Sequence, residues 1–324
     1  MLVVALLCAP SGSVFAREAL VADAASGPVT DASARPAAPA LRLVSLNPSL
    51  TAIVVRLGAA DALVGIDDYS ARLLPELADR PRVGGLFDPS LEAVMALAPD
   101  RVLLVAGLEQ EAHGAALRRL GLAVEIFENE RYEQVLANVD RSGRLVGREA
   151  QAAERIAAIR ALRAAVERAV QGRARPRTVI VLDRSPLYLV GGETFLDELL
   201  RAVGAENLGA RVAKGYPRGS LEWLVAAAPE LVLDLSPQAE APEGESPPAR
   251  SPGSPNERPE VLAFWSRWPS LPAVKTGRIL ALDATRISLP GPDLDRALRS
   301  LAVAVHGPGI EPAIERELAA QGGP

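Results

Sequence analysis

The sequence predicts an α/β fold of two similar lobes, each with a mostly parallel sheet, joined by one long rigid linking helix. The first observation is a near repeat at a constant offset of 130, between Ser90–Val105 and Ser220–Leu235. The second is that short apolar runs alternate with helical patterns on both sides of residues 149–170. The third is that residues 149–170 contain no Gly or Pro and keep apolar residues at helical spacing. Two distant copies favour two lobes, because a solenoid needs at least three stacked units.

Each copy of the repeat predicts a helix, a tight turn and a buried strand. Ser90 and Ser220 are suited to cap the helices, and the prolines at 99 and 229 stop them. Glu92 and Glu222 fall in the first helical turn, where a carboxylate interacts favourably with the helix dipole. Their matched positions suggest a shared function, and from the repeat alone both explanations stay open.

The other elements follow in order along the chain. The N-terminal lobe is predicted to span 41–147, the interlobe helix 148–173 and the C-terminal lobe 174–321. Predicted strands of both lobes are Leu41–Leu46, Leu63–Ile66, Val102–Val105, Ala123–Phe127, Thr178–Leu182, Leu231–Leu235 and Arg278–Leu282. Predicted helices besides those of the repeat are Leu50–Leu57, Glu109–Leu120, Tyr132–Leu145, Phe195–Val203 and Leu294–Val305. Residues 237–259 are rich in Pro, Ser, Glu and Gly and predict a disordered insertion.

The N-terminus has the pattern of an export signal. An apolar run from Met1 is too short for a membrane span, and Val14-Phe15-Ala16 offers small residues at a cleavage site. We therefore expect a signal peptide at 1–16, a disordered linker at 17–40 and a periplasmic location without a membrane span. Lipid attachment at Cys8 is an alternative. After cleavage the chain would have no cysteine, hence no disulfide and no thiolate metal site.

Composition and missing motifs exclude several functions. The net charge of −5 gives no support for nucleic-acid binding. The chain has two histidines, too few for a histidine-rich metal site, and it lacks a nucleophile elbow, a phosphate-binding P-loop and a dinucleotide fingerprint. The sequence therefore predicts no catalytic residues, no resident metal and no cofactor.

Aromatic residues make up only 4% of the chain, yet several stand at predicted strand-to-helix turns. Tyr69 follows the strand at 63–66, while Phe87 and Tyr216 precede the two repeat helices. Ligands of open α/β sheets bind beyond the carboxyl ends of the strands. Phe87 and Tyr216 are therefore expected to flank a cleft, one ring from each lobe.

These motifs jointly resemble the helical-backbone, two-lobe substrate-binding proteins of ABC importers for vitamin B12, ferric siderophores and haem. The resemblance covers about residues 41–305 without the insertion. The residues that carry it are Arg42-Leu43-Val44-Ser45-Leu46-Asn47-Pro48-Ser49-Leu50-Thr51, Val64-Gly65-Ile66, Val83-Gly84-Gly85 to Leu91-Glu92, Ala98-Pro99-Asp100, Val190-Gly191-Gly192-Glu193-Thr194-Phe195-Leu196-Asp197-Glu198-Leu199-Leu200, and Tyr216-Pro217 to Glu222.

The resemblance implies a ligand cleft between the lobes and a monomeric, non-enzymatic protein that delivers its ligand to an ABC permease. It implies that Glu92 and Glu222 dock to the permease. Ligand-binding residues are then Tyr69, Phe87, Asp88, Tyr216 and Arg286.

The resemblance leaves the ligand class open. A corrinoid is favoured, because few basic residues stand near the cleft, and a ferric siderophore or haem is the alternative. Two other classes remain: an α/β enzyme such as a hydrolase or chelatase, and a scaffold whose cleft binds nothing.

Overall fold

Two sheets, one in each lobe, organise the chain, seen here in a computed structural model that describes residues 41–236 and 258–322. The predicted fold class of two α/β lobes with mostly parallel sheets is confirmed. The predicted signal peptide at 1–16, the linker at 17–40 and residues 237–257 of the predicted insertion lie outside the described residues.

The strands occur in the order β1 (Leu43–Ser45), β2 (Leu63–Ile66), β3 (Arg101–Val105), β4 (Val124–Phe127), β5 (Arg177–Arg184), β6 (Leu187–Leu189), β7 (Glu206–Asn207), β8 (Leu231–Asp234) and β9 (Ile279–Ala281). The first lobe has the parallel order β2-β1-β3-β4. The second has the order β6-β5-β8-β9, with β7 also paired to β5. Only β6 runs antiparallel to its partner among the described strands.

The helices are α1 (Pro48–Arg56), α2 (Asp68–Leu73), α3 (Leu91–Ala96), α4 (Leu108–Arg119), α5 (Tyr132–Val146), α6 (Glu149–Ala169), α7 (Phe195–Ala202), α8 (Leu221–Ala227), α9 (Pro259–Trp265), α10 (Pro272–Lys275), α11 (Ala284–Ser288), α12 (Leu294–His306) and α13 (Glu311–Gln321). The sequence predictions omitted β6, β7, α2, α9, α10, α11 and α13.

The predicted insertion at 237–259 extends too far, because Arg258 is buried and donates to the Ser236 carbonyl at 3.0 Å, and Pro259 begins α9.

Helix α6 connects the lobes and packs into both of their cores. Its residue Ala152 belongs to the core of the first lobe, Ile159 and Val166 belong to that of the second, and Ile156 packs against both. At 21 residues it is about 31 Å long. A Cβ at Gly143 of α5 would lie 2.5 Å from the Ala152 Cβ, so glycine permits the close approach of α5 to α6.

The sequence repeat is also a repeat of hydrogen bonds. In the first lobe the Arg42 N–H donates to Asp100 at 2.8 Å, and the Arg42 guanidinium donates to the Leu97 carbonyl at the end of α3 at 2.6 Å. In the second lobe Arg177 makes the same two bonds, at 2.9 Å to Glu230 and 2.7 Å to the Ala227 carbonyl. The two lobes thus hold the helix–strand unit in the same way.

Both repeat helices end earlier than their prolines suggest. Each is followed by an alanine in the left-handed region, Ala98 at φ 41° and Ala228 at φ 47°. This conformation places the Cβ close to the following carbonyl and costs about 1–2 kcal/mol. The helices therefore stop through a strained turn before the proline is reached.

Replacing Ala228 by glycine should raise the free energy of unfolding by about 0.5–1 kcal/mol, because glycine removes the left-handed strain. The matched control is Ala226→Gly inside α8, which should lower it by about the same amount. Urea unfolding followed by circular dichroism measures both. Destabilisation by Ala228→Gly would contradict the strained turn.

Candidate functional site

A pocket of about 220 Å³ lies between the lobes, where strands of both sheets end. Its walls are built from Asn47, Pro48, Ser49, Tyr69, Leu73, Asn129, Thr285, Ser288, Leu289 and Pro290. Asn47 follows β1, Tyr69 follows β2, Asn129 follows β4 and Thr285 follows β9. This is the position in which open α/β sheets bind ligands.

The pocket walls are polar but uncharged. Asn129 and Thr285 offer side-chain donors and acceptors. Asn47 Oδ1 instead accepts from Ser49, and the Ser288 hydroxyl donates to the Ala284 carbonyl at 2.7 Å. No Lys, Arg or His side chain lines this pocket. The pocket therefore suits a ligand that presents neutral hydrogen-bonding groups.

A buried hydrogen-bond chain supports the wall that carries Tyr69. Asp67 caps α2 by accepting from the Ser70 N–H at 2.9 Å, and its second oxygen accepts from the Ser70 hydroxyl. The Ser70 hydroxyl lies 2.9 Å from Thr51 Oγ1, which in turn lies 2.8 Å from Ser45 Oγ. All four side chains are fully buried. These hydrogen bonds fix the ends of β1 and β2 relative to each other and so orient Tyr69.

Four exposed rings stand near the strand ends. Phe87 is 69% exposed, Tyr69 45%, Tyr216 44% and Tyr188 40%. Tyr69 lines the pocket, whereas Phe87 and Tyr216 lie outside its walls. Burial of the hydroxyl end, followed by the charge of Glu130, raises the pKa of Tyr216 to about 12.

Tyr188 is a functional candidate that the sequence predictions missed. Strand β6 continues its pairing into the segment after Gly215, with Leu189 N–H donating to Pro217 at 3.0 Å and Tyr188 opposite Arg218. Tyr188 and Tyr216 thus belong to neighbouring segments of the second lobe. The available sequence signal was the alternation Leu187-Tyr188-Leu189, which is typical of a half-buried strand.

The loop that carries Phe87 is held by α4. Gln110 Nε2 donates to the Leu86 carbonyl at 2.5 Å, and His113 Nε2 lies 3.1 Å from the Phe87 carbonyl. The loop turns at Gly84, whose φ of +99° requires glycine. Helix α4 therefore fixes the backbone at Phe87, although the Phe87 ring itself is exposed.

The two remaining predicted ligand contacts differ in position. Asp88 is exposed at the end of the Phe87 loop and does not line the pocket. Arg286 lies on α11 beside Thr285, but its guanidinium pairs with Asp283 at 3.4 Å.

Glu92 and Glu222 occupy equivalent exposed positions in the first turns of α3 and α8. Ser90 Oγ accepts from the Ala93 N–H at 3.2 Å, and Ser220 Oγ accepts from the Trp223 N–H at 3.1 Å. Neither glutamate forms an ion pair with any residue in 41–236 or 258–322. Hydrogen bonds from its own N–H and from Ser220 lower the pKa of Glu222, so it stays ionised. Both carboxylates are available to a partner.

Three further features bear on the type of site. Within the part of the chain that the structure describes, no group of three or more His, Cys, Asp or Glu side chains is placed to hold a metal ion. No helix in that part is long and apolar enough to cross a membrane. A second groove, of about 910 Å³, lies between α5, α6 and α7, away from the pocket at the strand ends, and its walls are strongly charged.

The fold and the interlobe pocket define a two-lobe binding protein. The chain matches the family described as periplasmic binding protein over residues 43–285, and it belongs to that family. Its members are substrate-binding proteins, so family membership supports a binding protein rather than an enzyme.

Named relatives bind corrinoids or haem. A cobalamin-binding protein of Halobacterium salinarum is 29% identical over 321 residues, covering 94% of this chain and 82% of that protein. The vitamin B12-binding protein BtuF of Vibrio cholerae shares the fold, with a TM-score of 0.67 at 20% identity over 85% of this chain and 98% of that one. A periplasmic haem-binding protein of Pseudomonas aeruginosa has a TM-score of 0.66 at 26% identity, over 82% and 93% of the chains.

Removing the α4 bonds should loosen the Phe87 loop without unfolding the lobe. With Gln110→Ala and His113→Ala combined, amide hydrogen exchange in residues 84–88 should accelerate by about tenfold, since each lost bond contributes about 0.5–1.5 kcal/mol. Exchange in residues 213–219 serves as the internal control and should not change. Equal acceleration in both segments would mean that the two side chains stabilise the whole protein instead.

Asp67 should make stability depend on pH. Burial raises the pKa of Asp67 above its ordinary value, and hydrogen bonds from Ser70 and Tyr69 oppose this only in part. The folded protein therefore binds this proton more tightly than the unfolded chain, and the contribution to stability falls as pH rises from about 4. Asp67→Asn, which keeps the cap, should gain stability relative to the parent between pH 4 and 7 in thermal unfolding. If Asp67→Asn were less stable than the parent over that pH range, the pKa of Asp67 could not be raised in the folded protein.

Proposed function

We propose that this chain is an exported substrate-binding protein that captures a corrinoid in the interlobe cleft and delivers it to an ABC permease. The observation that carries the proposal is the interlobe pocket at the strand ends, with uncharged polar walls beside exposed rings. Membership of the periplasmic binding protein family supports the class, and the similarity to a cobalamin-binding protein supports the ligand.

Corrinoid binding fits the chemistry of the cleft. The edge of a corrin ring carries neutral amide side chains, which the Asn129 amide and the Thr285 hydroxyl can match. Its faces are apolar, and aromatic rings provide large contact area at low entropic cost. The metal of a corrinoid is already enclosed, so the cleft has no need to supply thiolate or imidazole ligands.

Haem is the second candidate, supported by the haem-binding relative of similar fold. Haem carries two carboxylates, for which a protein usually supplies cations. Of the arginines around the cleft, Arg72 lies 5.4 Å from the Tyr69 ring and Arg286 pairs with Asp283. Arg218, opposite Tyr188, is exposed and is the cation that a haem carboxylate would use, but no arginine lines the pocket itself. The neutral pocket therefore favours the corrinoid.

The ligand contacts are assigned to rings on both sides of the cleft. Tyr69 and Phe87 come from the first lobe, and Tyr216 with Tyr188 comes from the second, while Asp88 and Arg286 supply polar contacts at the rim. Because the pocket of about 220 Å³ is smaller than a corrinoid, the rings outside it must carry the rest of the ligand.

Permease docking is assigned to Glu92 and Glu222. They are exposed and equivalent in the two lobes, and α6 holds the lobes in a fixed relation. Such peripheral charges orient a partner through complementary charges more than they add affinity. The partner surface is therefore expected to present two cationic sites.

Truncation of a cleft ring should weaken corrinoid binding. Phe87→Ala or Tyr216→Ala should each raise the dissociation constant for cyanocobalamin by about 5- to 150-fold, equivalent to about 1–3 kcal/mol of lost aromatic contact. The control is Leu120→Ala, which removes an exposed apolar side chain from the end of α4. Calorimetric curves that match the parent in both ring variants would remove these rings from the site.

Loss of the docking charges should separate transport from binding. The double variant Glu92→Ala/Glu222→Ala should abolish corrinoid uptake by cells while its affinity for cyanocobalamin stays that of the parent. Glu111→Ala, another exposed carboxylate, should support normal uptake. A normal uptake rate in the double variant would show that these two glutamates are not needed for docking.

A further inference from the structure

The groove of about 910 Å³ is separate from the ligand cleft and crosses the seam between the lobes. Tyr132 and Glu133 at the start of α5 form its first-lobe side, the second half of α6 forms its base, and Arg201 and Gly204 come from the second lobe. None of its wall residues belongs to the pocket at the strand ends.

The groove is basic although the chain as a whole is acidic. Five arginines face three glutamates in its walls, and the net charge of the chain is −5. The arginines are Arg160, Arg163, Arg173, Arg175 and Arg201. This local reversal of charge favours an anionic partner.

The internal ion pairs leave a positive surplus. Glu133 pairs with Arg160 at 2.8 Å, and Glu167 pairs with Arg163 at 2.9 Å. The third glutamate, Glu198, is held by Arg131 from outside the groove at 2.6 Å, and Arg201 is balanced by Asp197 at 2.6 Å. Arg173 and Arg175 have no ion pair with any described residue.

Most arginine donors in the groove are unused. A guanidinium has five N–H donors in a planar fork that matches two oxygens of a phosphate. Arg173 uses its Nε on the Ala169 carbonyl at 3.1 Å, and its terminal nitrogens make no further hydrogen bond within the described residues. Arg175 is exposed beside it. The arrangement offers several forks along one groove.

A buried hydroxyl in the same wall also lacks an acceptor. Tyr132 is 1% exposed, and its phenol oxygen has no hydrogen-bond partner in the described part of the chain. The group over its ring, Arg163 at 4.3 Å, is a donor only. Burial raises the pKa of Tyr132 to about 12, so the phenol keeps its proton. Its hydroxyl can therefore both donate and accept in this wall.

We propose that this groove binds a multivalent phosphate group, which arises either from a free polyphosphate or from a lipid headgroup. Arg173 and Arg175 supply the unpaired charge, and Arg160 and Arg163 supply further donors. These four arginines lie on the second half of α6 and on the segment between α6 and β5. The proposal does not depend on the identity of the cleft ligand.

The test is a calorimetric titration of the full chain with inorganic pyrophosphate. The parent should bind, and Arg173→Gln/Arg175→Gln should weaken binding by at least about tenfold, because glutamine keeps a hydrogen-bond donor but loses the charge that pairs with phosphate. The control Arg118→Gln/Arg119→Gln removes two exposed charges from α4 and should bind as the parent does. No heat from the parent, or equal weakening in both variants, would overturn the proposal.

A vesicle arm distinguishes the two sources of phosphate. Phosphatidylcholine vesicles with and without phosphatidic acid are sedimented with each protein. Retention that needs phosphatidic acid, is lost in Arg173→Gln/Arg175→Gln and is competed by pyrophosphate supports a lipid headgroup. Pyrophosphate binding without retention supports a free polyphosphate. Retention that the variant keeps would assign the lipid contact to another surface and contradict this one.

Discussion

The burial of one face of α6 in both lobes is the constraint on which the rest of the structure depends. Ala152 packs into the first core, Ile159 into the second, and Ile156 contacts both, so neither lobe can rotate about α6 without exposing apolar surface. Two further contacts between the lobes add to this constraint. Arg131 pairs with Glu198 at 2.6 Å, and the Phe195 N–H donates to the Glu130 carbonyl at 2.5 Å. The cleft and the two lobe ends are therefore held in place before any ligand arrives. Preformed sites avoid the entropy of ordering loops on binding.

The two lobes share a scaffold and differ where specificity arises. The bonds of Arg42 and Arg177 fix the same helix–strand unit twice, and this places Glu92 and Glu222 equivalently. The cleft faces are not repeated. The second lobe adds antiparallel β6 with Tyr188, whereas the first supports Tyr69 through the buried chain that begins at Asp67. The helices that carry the proposed docking residues are thus equivalent in the two lobes, whereas the two faces of the cleft differ.

Local patterns were sufficient to predict much of the fold. The repeat, the caps at Ser90 and Ser220 and the long helix α6 follow from spacing within a few turns of chain. The sequence did not predict contacts between distant segments. These are the pairing of β6 with the segment after Gly215, the Arg131–Glu198 ion pair and the packing of α13 against α6. For the site, the sequence placed Tyr69 at the pocket. It did not show that Phe87 and Tyr216 lie outside the pocket walls or that Arg286 pairs with Asp283, because these depend on side-chain positions in three dimensions.

The central claim is that the interlobe cleft recognises a corrinoid. Its most direct test is a calorimetric titration of the unaltered chain with cyanocobalamin, with haem and a ferric hydroxamate siderophore titrated in parallel. One cyanocobalamin per chain is expected to bind with a sub-micromolar dissociation constant, and the other two ligands should bind much more weakly. Tight binding of haem or the siderophore without binding of cyanocobalamin would contradict it and would move recognition away from the neutral polar pocket.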